Sequence, residues 1–365
     1  MLTISAIILL AGSFVLSAFL TAIIRKLATK AGFVAHPSAD RYHQTTIPLG
    51  GGIAIFTTLT AFILAATAAI TFLTGQLNSL AQTANINPAD FLAKINQLWF
   101  ILLCAFILFA LGLWDDIKAL GPYSKLAVQF AVAIIAANFA DIRVEFFIEN
   151  KIITTALSAI WIVLIINAFN FLDNMDGAAA GIAVIASSIL FTAAALSGQV
   201  FVGGLTLVFT GALLGFLIFN FPPAKIFMGD AGSLVTGFFV ALLTLRTTYY
   251  HEAQSGQWYP VLMPAIVMAV PLYDFISVTL LRISQGKSPL IGDTQHFSHR
   301  LKKHGLTDTQ TVLTLYLATL CTGLGATFLY QVNLAGAILI FIQTIMVLSI
   351  IAILETAAGN DKTSN

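Results

Sequence analysis

Charged side chains are scarce in this sequence. Only 9% of its 365 residues are Asp, Glu, Lys or Arg, whereas about 25% is usual for a soluble domain. Hydrophobic residues make up 58% of the chain, and the mean hydropathy is +0.93. These values exclude a water-soluble globular protein. The formal net charge of +1 also argues against a nucleic-acid partner, because such proteins carry a basic surface.

Cysteine is nearly absent, and several common ligand-binding motifs are missing. Cys104 and Cys321 both lie in apolar stretches, and no CxxC or zinc-type Cys/His spacing occurs. A disulfide scaffold and a zinc domain are therefore excluded. No Walker-type or GxGxxG loop is present for a nucleotide. The first apolar run has no basic residue before it and no small-residue cleavage site, so we expect a membrane helix there and not a signal peptide.

Long apolar runs dominate the chain. A helix needs about 20 residues to cross the hydrocarbon core, and we find eleven candidate runs, at 2–24, 50–73, 97–114, 122–140, 153–171, 178–196, 200–220, 232–248, 259–281, 309–330 and 334–355. The sequence therefore predicts an all-α integral membrane protein, a polytopic bundle of eleven transmembrane helices. We expect a single domain over 1–356 and a short cytoplasmic tail over 357–365.

The lysines and arginines predict the orientation of this bundle. With eleven spans, 13 of the 17 basic residues fall in one set of connections and four in the other. The positive-inside rule places the basic set in the cytoplasm. We therefore expect the N-terminus outside and the C-terminus in the cytoplasm, with the polar segments described next at the cytoplasmic face.

The first two of five polar segments combine basic and acidic groups. Arg41 and His43 offer donors to an anion, and the Pro-Leu-Gly-Gly-Gly stretch after them lets a ligand approach the backbone. A simple membrane anchor is the alternative. The second segment holds adjacent carboxylates, Asp115 and Asp116, with Lys125 downstream. Adjacent carboxylates repel each other unless a cation lies between them, and solvation of a helix end is the alternative.

The third and fourth segments are acidic. Asn170, Asp173 and Asp176 recur at three-residue steps, so they share one face if the helix continues through them. Polar groups at that depth are functional or form an interhelical hydrogen-bond network. Asp230 stands between two nearby glycines that leave its carboxylate accessible. Plain N-capping of the next helix is the alternative for this residue.

The fifth segment is basic. His296, His299 and Arg300 lie in the longest cytoplasmic connection. Imidazole and guanidinium groups suit phosphate binding, with membrane anchoring as the alternative. Together the five segments place carboxylates for a metal ion and cations for phosphates on one face. This combination indicates Mg²⁺-dependent phosphoryl transfer from a cytoplasmic donor.

These ordered motifs resemble those of the polyprenyl-phosphate N-acetylhexosamine-1-phosphate transferases (glycosyltransferase family 4), which include the WecA, TagO and MraY branches. The resemblance runs from about Gly32 to Gly305 and covers Asp115-Asp116…Leu120…Lys125, then Asn167, Asn170, Asp173, Asp176 and Gly177, then Asn220 through Ser233. It departs at Asn174, where the family has glycine, and at Ser298, where a histidine is lost. The first loop is similar to the WecA/TagO branch and lacks the triple histidine of MraY.

The resemblance implies transfer of a sugar-1-phosphate, expected to be GlcNAc-1-phosphate, from a UDP-N-acetylhexosamine to undecaprenyl phosphate, which initiates a cell-envelope glycan. It implies Mg²⁺, with Mn²⁺ as a substitute, and a bacterial inner-membrane location with a cytoplasmic active site. A homodimer is among the expected assemblies. The implied roles are catalysis for Asp115, Asp116, Asp173 and Asp176, metal binding for Asn170 and Asp230, and substrate binding for Lys125, Arg41, His43, His296, His299 and Arg300.

Two other functions stay open at this point, as does the choice between an aspartate base and an aspartate nucleophile. A phospho-MurNAc-pentapeptide transferase of the MraY type would perform the same reaction with another donor. A cation-coupled transporter would place its carboxylates near the bilayer midplane, often in broken helices. Only Asp274 lies deep in a predicted span, roughly 10 Å from its end at the usual helical rise.

Overall fold

The computed structural model describes residues 2–35, 46–72, 88–144, 148–247, 249, 257–288, 300–302 and 305–356. Four predicted substrate-binding residues, Arg41, His43, His296 and His299, lie outside these ranges, as does the tail 357–365. The described chain is almost entirely helical, which confirms the all-α prediction. The exception is a short antiparallel ribbon of β1 (Val34–Ala35) and β2 (Ile47–Pro48), in which Val34 faces Pro48.

In the described residues, every predicted apolar run lies largely on helix. The helices are α1 Leu2–Ala31, α2 Gly51–Phe72, α3 Pro88–Ile117, α4 Pro122–Phe139, α5 Lys151–Leu172, α6 Ala178–Leu196, α7 Val200–Asn220, α8 Asp230–Arg246, α9 Met263–Val267, α10 Ala269–Ser284, α11 Asp308–Thr327 and α12 Leu334–Thr356, with 3₁₀ turns at Tyr259–Leu262 and Phe328–Tyr330. Among the described residues, eight helices are long and apolar enough to span a membrane, or nine spans with a bent pair. Helices α4 and α8 are shorter, at 18 and 17 residues. The count of eleven and the orientation stay predictions.

The bent pair replaces one predicted span, 259–281. The chain bends by 64° between Tyr259–Val267 and Ala269–Ser284. Pro271 has no N–H, so it cannot donate to the carbonyl of Val267 four residues earlier, and its ring crowds that carbonyl. This proline explains why the helix breaks near Met268 and why α10 leaves the axis of α9.

Helix α8 lies at the centre of the bundle. Every residue from Ala231 to Thr244 is buried, and the helix packs against α2, α3, α5 and α6. A helix that is apolar on all sides is expected in such a central position. The outer helices α1 and α12 remain mostly exposed along their apolar windows, which suits contact with lipid. The charged residues of α8, Asp230 and Arg246, stand at its two ends.

The glycine segment of the first loop brings α2 to the start of α8. Gly51 N and Gly52 N donate to the carbonyls of Phe227 and Met228, each at 2.9 Å. A β-carbon on Gly52 would lie 2.3 Å from the backbone nitrogen of Gly232, so only glycine fits. The sequence predicted that these glycines admit a ligand. The structure shows that they admit the protein's own backbone.

Candidate active site

Two neighbouring segments and a third that is distant in sequence meet at the first turn of α8. Lys125 Nζ lies 2.7 Å from Asp115 Oδ2 and 2.8 Å from Asp230 Oδ2. The residues come from the last turn of α3, the first turn of α4 and the first residue of α8. Their side chains are between 14% and 27% exposed. The structure thus brings together three predicted site residues in a cluster that water-borne groups can reach.

Asp116 caps α8 from a different helix. Its Oδ1 accepts a hydrogen bond from Asp230 N at 2.8 Å, and its Oδ2 accepts one from Ala231 N at 3.1 Å. These N–H groups have no partner inside their own helix. Gly229 precedes them at φ 72°, and a β-carbon there would lie 2.6 Å from Asp116 Oδ2. The alternative that Asp230 is merely the N-cap is wrong, because Asp116 supplies the cap and Asp230 contacts Lys125.

The charges of this cluster do not balance. Counted as ionised, Asp115, Asp116 and Asp230 carry three negative charges against one positive charge on Lys125. The positive end of the α8 dipole offsets only about half a charge. The described residues contain no group of three or more His, Cys, Asp or Glu side chains placed to hold a metal. Mg²⁺ commonly takes one or two protein carboxylates and completes its shell with water and substrate phosphates, so this donor set fits it.

Asn170 is linked to the first turns of α8 through Ser233, the last residue of the fourth motif, which was not among the predicted site residues. Its Nδ2 donates to Ser233 Oγ at 2.8 Å, and Ser233 is buried one turn after Asp230 in α8. Because the amide nitrogen of Asn170 donates to Ser233, its amide oxygen is the atom that could bind a cation. The position of Ser233 three residues after Asp230 was the signal that could have revealed it.

Asp173 and Asp176 do not continue the face of Asn170. Helix α5 ends at Leu172 and Asp173 is its C-cap, so the helix does not continue through these residues and the shared face expected of a continuous helix is not formed beyond Asn170. Asp176 Oδ2 accepts a hydrogen bond from Ala224 N at 2.8 Å. The structure therefore uses Asp176 to join the third motif to the fourth.

Two further amides support this arrangement. Asn167 Nδ2 donates to Gln129 Oε1 at 2.6 Å, between α5 and α4. Asn220 Oδ1 accepts from Gly177 N, while its Nδ2 donates to Ile226 O, each at 3.0 Å. The interhelical hydrogen-bond network that was the alternative for the third motif is thus confirmed for Asn167 and for Asn170. These bonds fix the loops between which the carboxylates converge.

Arg300 is placed elsewhere. Its Nη2 lies 2.8 Å from Glu355 Oε2 and 3.0 Å from Ser277 Oγ, so it pairs inside the protein at the end of α12.

Asp274 is fully buried in α10. The motif carboxylates Asp115, Asp116 and Asp230, in contrast, stand at helix ends, which is the arrangement expected of a surface site and not of a transport path at the midplane.

Comparison with known proteins agrees with this geometry. The family model "Glycosyl transferase family 4" matches residues 98–248, which contain the whole α8 cluster. A probable undecaprenyl-phosphate N-acetylglucosaminyl 1-phosphate transferase of Bacillus subtilis is 32% identical, and the match covers 91% of this chain and 87% of the relative. A decaprenyl-phosphate N-acetylglucosaminephosphotransferase of Mycobacterium tuberculosis is 28% identical, and the match covers 83% of this chain and 77% of the relative. An undecaprenyl-phosphate alpha-N-acetylglucosaminyl 1-phosphate transferase of Escherichia coli K12 is 27% identical, and the match covers 80% of this chain and 76% of the relative.

The extent of these matches confirms the resemblance drawn from the motifs. Several long apolar helices and the family match together describe a multi-pass membrane protein of bacterial type. This chain belongs to glycosyl transferase family 4, among the polyprenyl-phosphate N-acetylhexosamine-1-phosphate transferases.

Proposed function

We propose that this protein transfers GlcNAc-1-phosphate from UDP-GlcNAc to undecaprenyl phosphate, giving undecaprenyl-diphosphate-GlcNAc and UMP. The observation that carries the proposal is the convergence of Asp115, Lys125 and Asp230 at the capped start of α8. The names of the three relatives described above specify N-acetylglucosamine and a polyprenyl phosphate. They favour this donor over the phospho-MurNAc-pentapeptide donor of an MraY-type enzyme. The product is the first lipid-linked sugar of a cell-envelope glycan.

The reaction exchanges one phosphoanhydride bond for another. An oxygen of the lipid phosphate forms a bond to the β-phosphorus of the donor, the bond from that phosphorus to the bridging oxygen breaks, and UMP leaves. A phosphate monoester has a second pKa near 6 and is mostly a dianion at neutral pH. The attacking oxygen therefore needs no strong base, and positioning with charge neutralisation supplies the catalysis. Lys125, held between two carboxylates, is a cation of the described site that would bind the phosphate groups.

The aspartates divide these tasks. Both oxygens of Asp116 accept backbone N–H groups, so Asp116 positions the start of α8 and is poorly placed to act as a nucleophile. Asp115 accepts from Leu120 N at 2.6 Å and from Lys125, which orients the ammonium group. Asp230 with the amide oxygen of Asn170 would hold Mg²⁺, for which Mn²⁺ is a substitute. The metal would neutralise charge on the donor diphosphate.

The active site is proposed to face the cytoplasm, where nucleotide sugars are made. The support is the positive-inside distribution of the basic residues. A cysteine introduced at 287–305 should react with an impermeant maleimide only in inside-out vesicles, and one at 78–90 only in intact cells. Reversed labelling would contradict the topology.

The decisive assay uses the purified protein with undecaprenyl phosphate, Mg²⁺ and a panel of UDP-sugars. We expect UMP release and a lipid-linked product with UDP-GlcNAc, and neither without Mg²⁺. Replacing UDP-GlcNAc by UDP-MurNAc-pentapeptide in the same assay distinguishes the proposed activity from that of an MraY-type enzyme. Turnover with UDP-MurNAc-pentapeptide but not with UDP-GlcNAc would contradict the proposal. The absence of turnover with every donor tested would contradict it as well.

A further inference from the structure

Tyr316, a residue outside the five polar segments, contacts the turn that follows α5. It lies on α11, and its Oη donates to Gly177 O at 2.6 Å. Gly177 directly precedes α6 and has φ 72°, a left-handed conformation that favours glycine. The third motif therefore has a hydrogen-bond partner in a helix that comes more than 100 residues later in the chain.

Helix α6 leaves a recess for the ring of this tyrosine. Gly181 lies one turn after Gly177, and a β-carbon on Gly181 would overlap Oη and Cζ of Tyr316. A larger residue at this position would push the ring away from Gly177. Helix α11 packs against α6, so the recess and the hydroxyl group together determine how the two helices meet at the turn.

The other backbone group of Gly177 leads to the start of α8. Gly177 N donates to Asn220 Oδ1, and Asn220 Nδ2 donates to Ile226 O, each at 3.0 Å. Ile226 lies four residues before Asp230. The neighbouring Asp176 also accepts a backbone N–H of the fourth motif. A continuous series of hydrogen bonds thus connects α11, the turn after α5 and the segment that enters α8.

The bond from Tyr316 is not needed to satisfy the backbone of the turn. Gly177 O also accepts Gly181 N at 2.9 Å, within the first turn of α6, and a carbonyl oxygen has two lone pairs. Loss of the hydroxyl group would therefore leave Gly177 O with a partner. What the hydroxyl adds is a fixed direction for the carbonyl, and with it a fixed orientation of the peptide that follows Asp176.

We propose that Tyr316 is a positioning residue for phosphoryl transfer, because its hydroxyl group fixes the turn that carries Asp173 and Asp176. The inference rests on the proposed function, since it takes these two aspartates to act in the reaction. Tyr316 acts through Gly177 and touches neither substrate. The alignment of the carboxylates affects the chemical step more than it affects substrate binding.

Tyr316→Phe tests the inference, because it removes the hydroxyl group and keeps the ring in its recess. The kcat should fall roughly tenfold, while the KM for UDP-GlcNAc and the KM for undecaprenyl phosphate change by less than about twofold. Gly181→Ala should lower kcat in the same way, since it displaces the ring. The double variant should be no worse than Gly181→Ala alone.

Tyr259→Phe is the matched control. Tyr259 Oη also donates to a backbone carbonyl, that of Val332, but it does so from the 3₁₀ turn before α9. This variant should leave kcat within about twofold. An unchanged kcat in Tyr316→Phe, or an equal loss in Tyr259→Phe, would overturn the inference. A raised KM at unchanged kcat would also overturn it, because the hydroxyl group would then be a substrate ligand.

A second measurement does not depend on turnover. Hydrogen–deuterium exchange of the amides at 174–181 should be roughly tenfold faster in Tyr316→Phe than in the unmodified protein, and Tyr259→Phe should leave it unchanged. Equal exchange in all three proteins contradicts the inference. If the unmodified protein turns over no UDP-sugar, the proposed function fails, and the exchange rates alone decide whether Tyr316 fixes this turn.

Discussion

The two ends of helix α8 carry polar clusters that differ in their charge balance. At the first residue, three carboxylates surround the single ammonium group of Lys125. At the last residue, Arg246 Nη1 donates to Asp141 O at 2.9 Å and to its carboxylate at 3.1 Å, and Nη2 donates to Gln97 Oε1 at 3.4 Å. Acid at the start and base at the end both suit the helix dipole, so the dipole does not distinguish them.

The difference lies in how completely each cluster is satisfied by the protein. The guanidinium group of Arg246 has a carbonyl, a carboxylate and an amide as partners, which is the pattern of a structural clamp. The acidic end, counted as ionised, keeps an excess of negative charge that an added cation would neutralise. Arg143 and Arg246, two of the four basic residues on the predicted outer side, both pair with Asp141. These ion pairs with Asp141 explain why two arginines occur on the side where the positive-inside rule predicts few basic residues.

Asp230→Asn should have the largest effect on the acidic end. If the carboxylate holds Mg²⁺, turnover should fall at least about a thousandfold, since metal stabilisation of the transition state is worth several kcal/mol. UMP release measured across Mg²⁺ concentrations, with thermal unfolding in detergent, checks this. Asp141→Asn at the other end is the control and should leave turnover within about twofold. Near-normal activity with an unchanged Mg²⁺ response would remove Asp230 from the site.

Lys125→Met should come next in magnitude. It removes the ammonium group between Asp115 and Asp230 and leaves the carboxylates to repel each other. Turnover should fall roughly a hundredfold, because a charged donor for the reacting phosphates is lost. The exposed Lys118 in the same connection provides the control Lys118→Met. Equal losses in the two variants would mean that the effect comes from general membrane anchoring.

Gly52→Ala should destabilise the acidic end without changing its charges. A β-carbon would lie within 2.7 Å of three backbone atoms of Ala231 and Gly232, which backbone movement alone can relieve. We expect the free energy of unfolding to fall by about 2 kcal/mol, measured as a lower Tm with or without Mg²⁺. Gly204→Ala in α7 would contact only Leu9 Cδ1 at 3.6 Å and should be neutral. Equal losses of Tm in Gly52→Ala and Gly204→Ala would contradict the close contact between α2 and the backbone of α8.

Arg246→Ala should give the smallest effect. The half-exposed Asp141 weakens the ion pair, so the free energy of unfolding should fall by only about 1 kcal/mol. Thermal unfolding checks the loss, and kcat/KM should stay within about twofold. A large loss of turnover at normal stability would show that the C-terminal end of α8 takes part in the reaction, and the contrast between the two ends would fail.

The sequence predicted the helices and the main charged residues because both leave local signals. Apolar runs specify helices, and adjacent Asp115 and Asp116 in an apolar context stand out without any structure. The end of α5 at Leu172 left no such signal, since a three-residue spacing of Asn170 and Asp173 fits a helix as well as a turn. The partners that depend on distant segments, such as Glu355 for Arg300, arise only from the packing of whole helices.

The cap that Asp116 provides has a consequence for how the protein is made. Asp116 and its partner Asp230 are 114 residues apart, and Lys125 and Asp230 are 105 apart. As the ribosome delivers helices to the membrane in order, α3 and α4 enter with their acidic and basic groups well before α8 exists. The centre is therefore completed only when α8 is made, and a nascent chain that stops short of α8 lacks the Asp230 partner of Asp116 and Lys125.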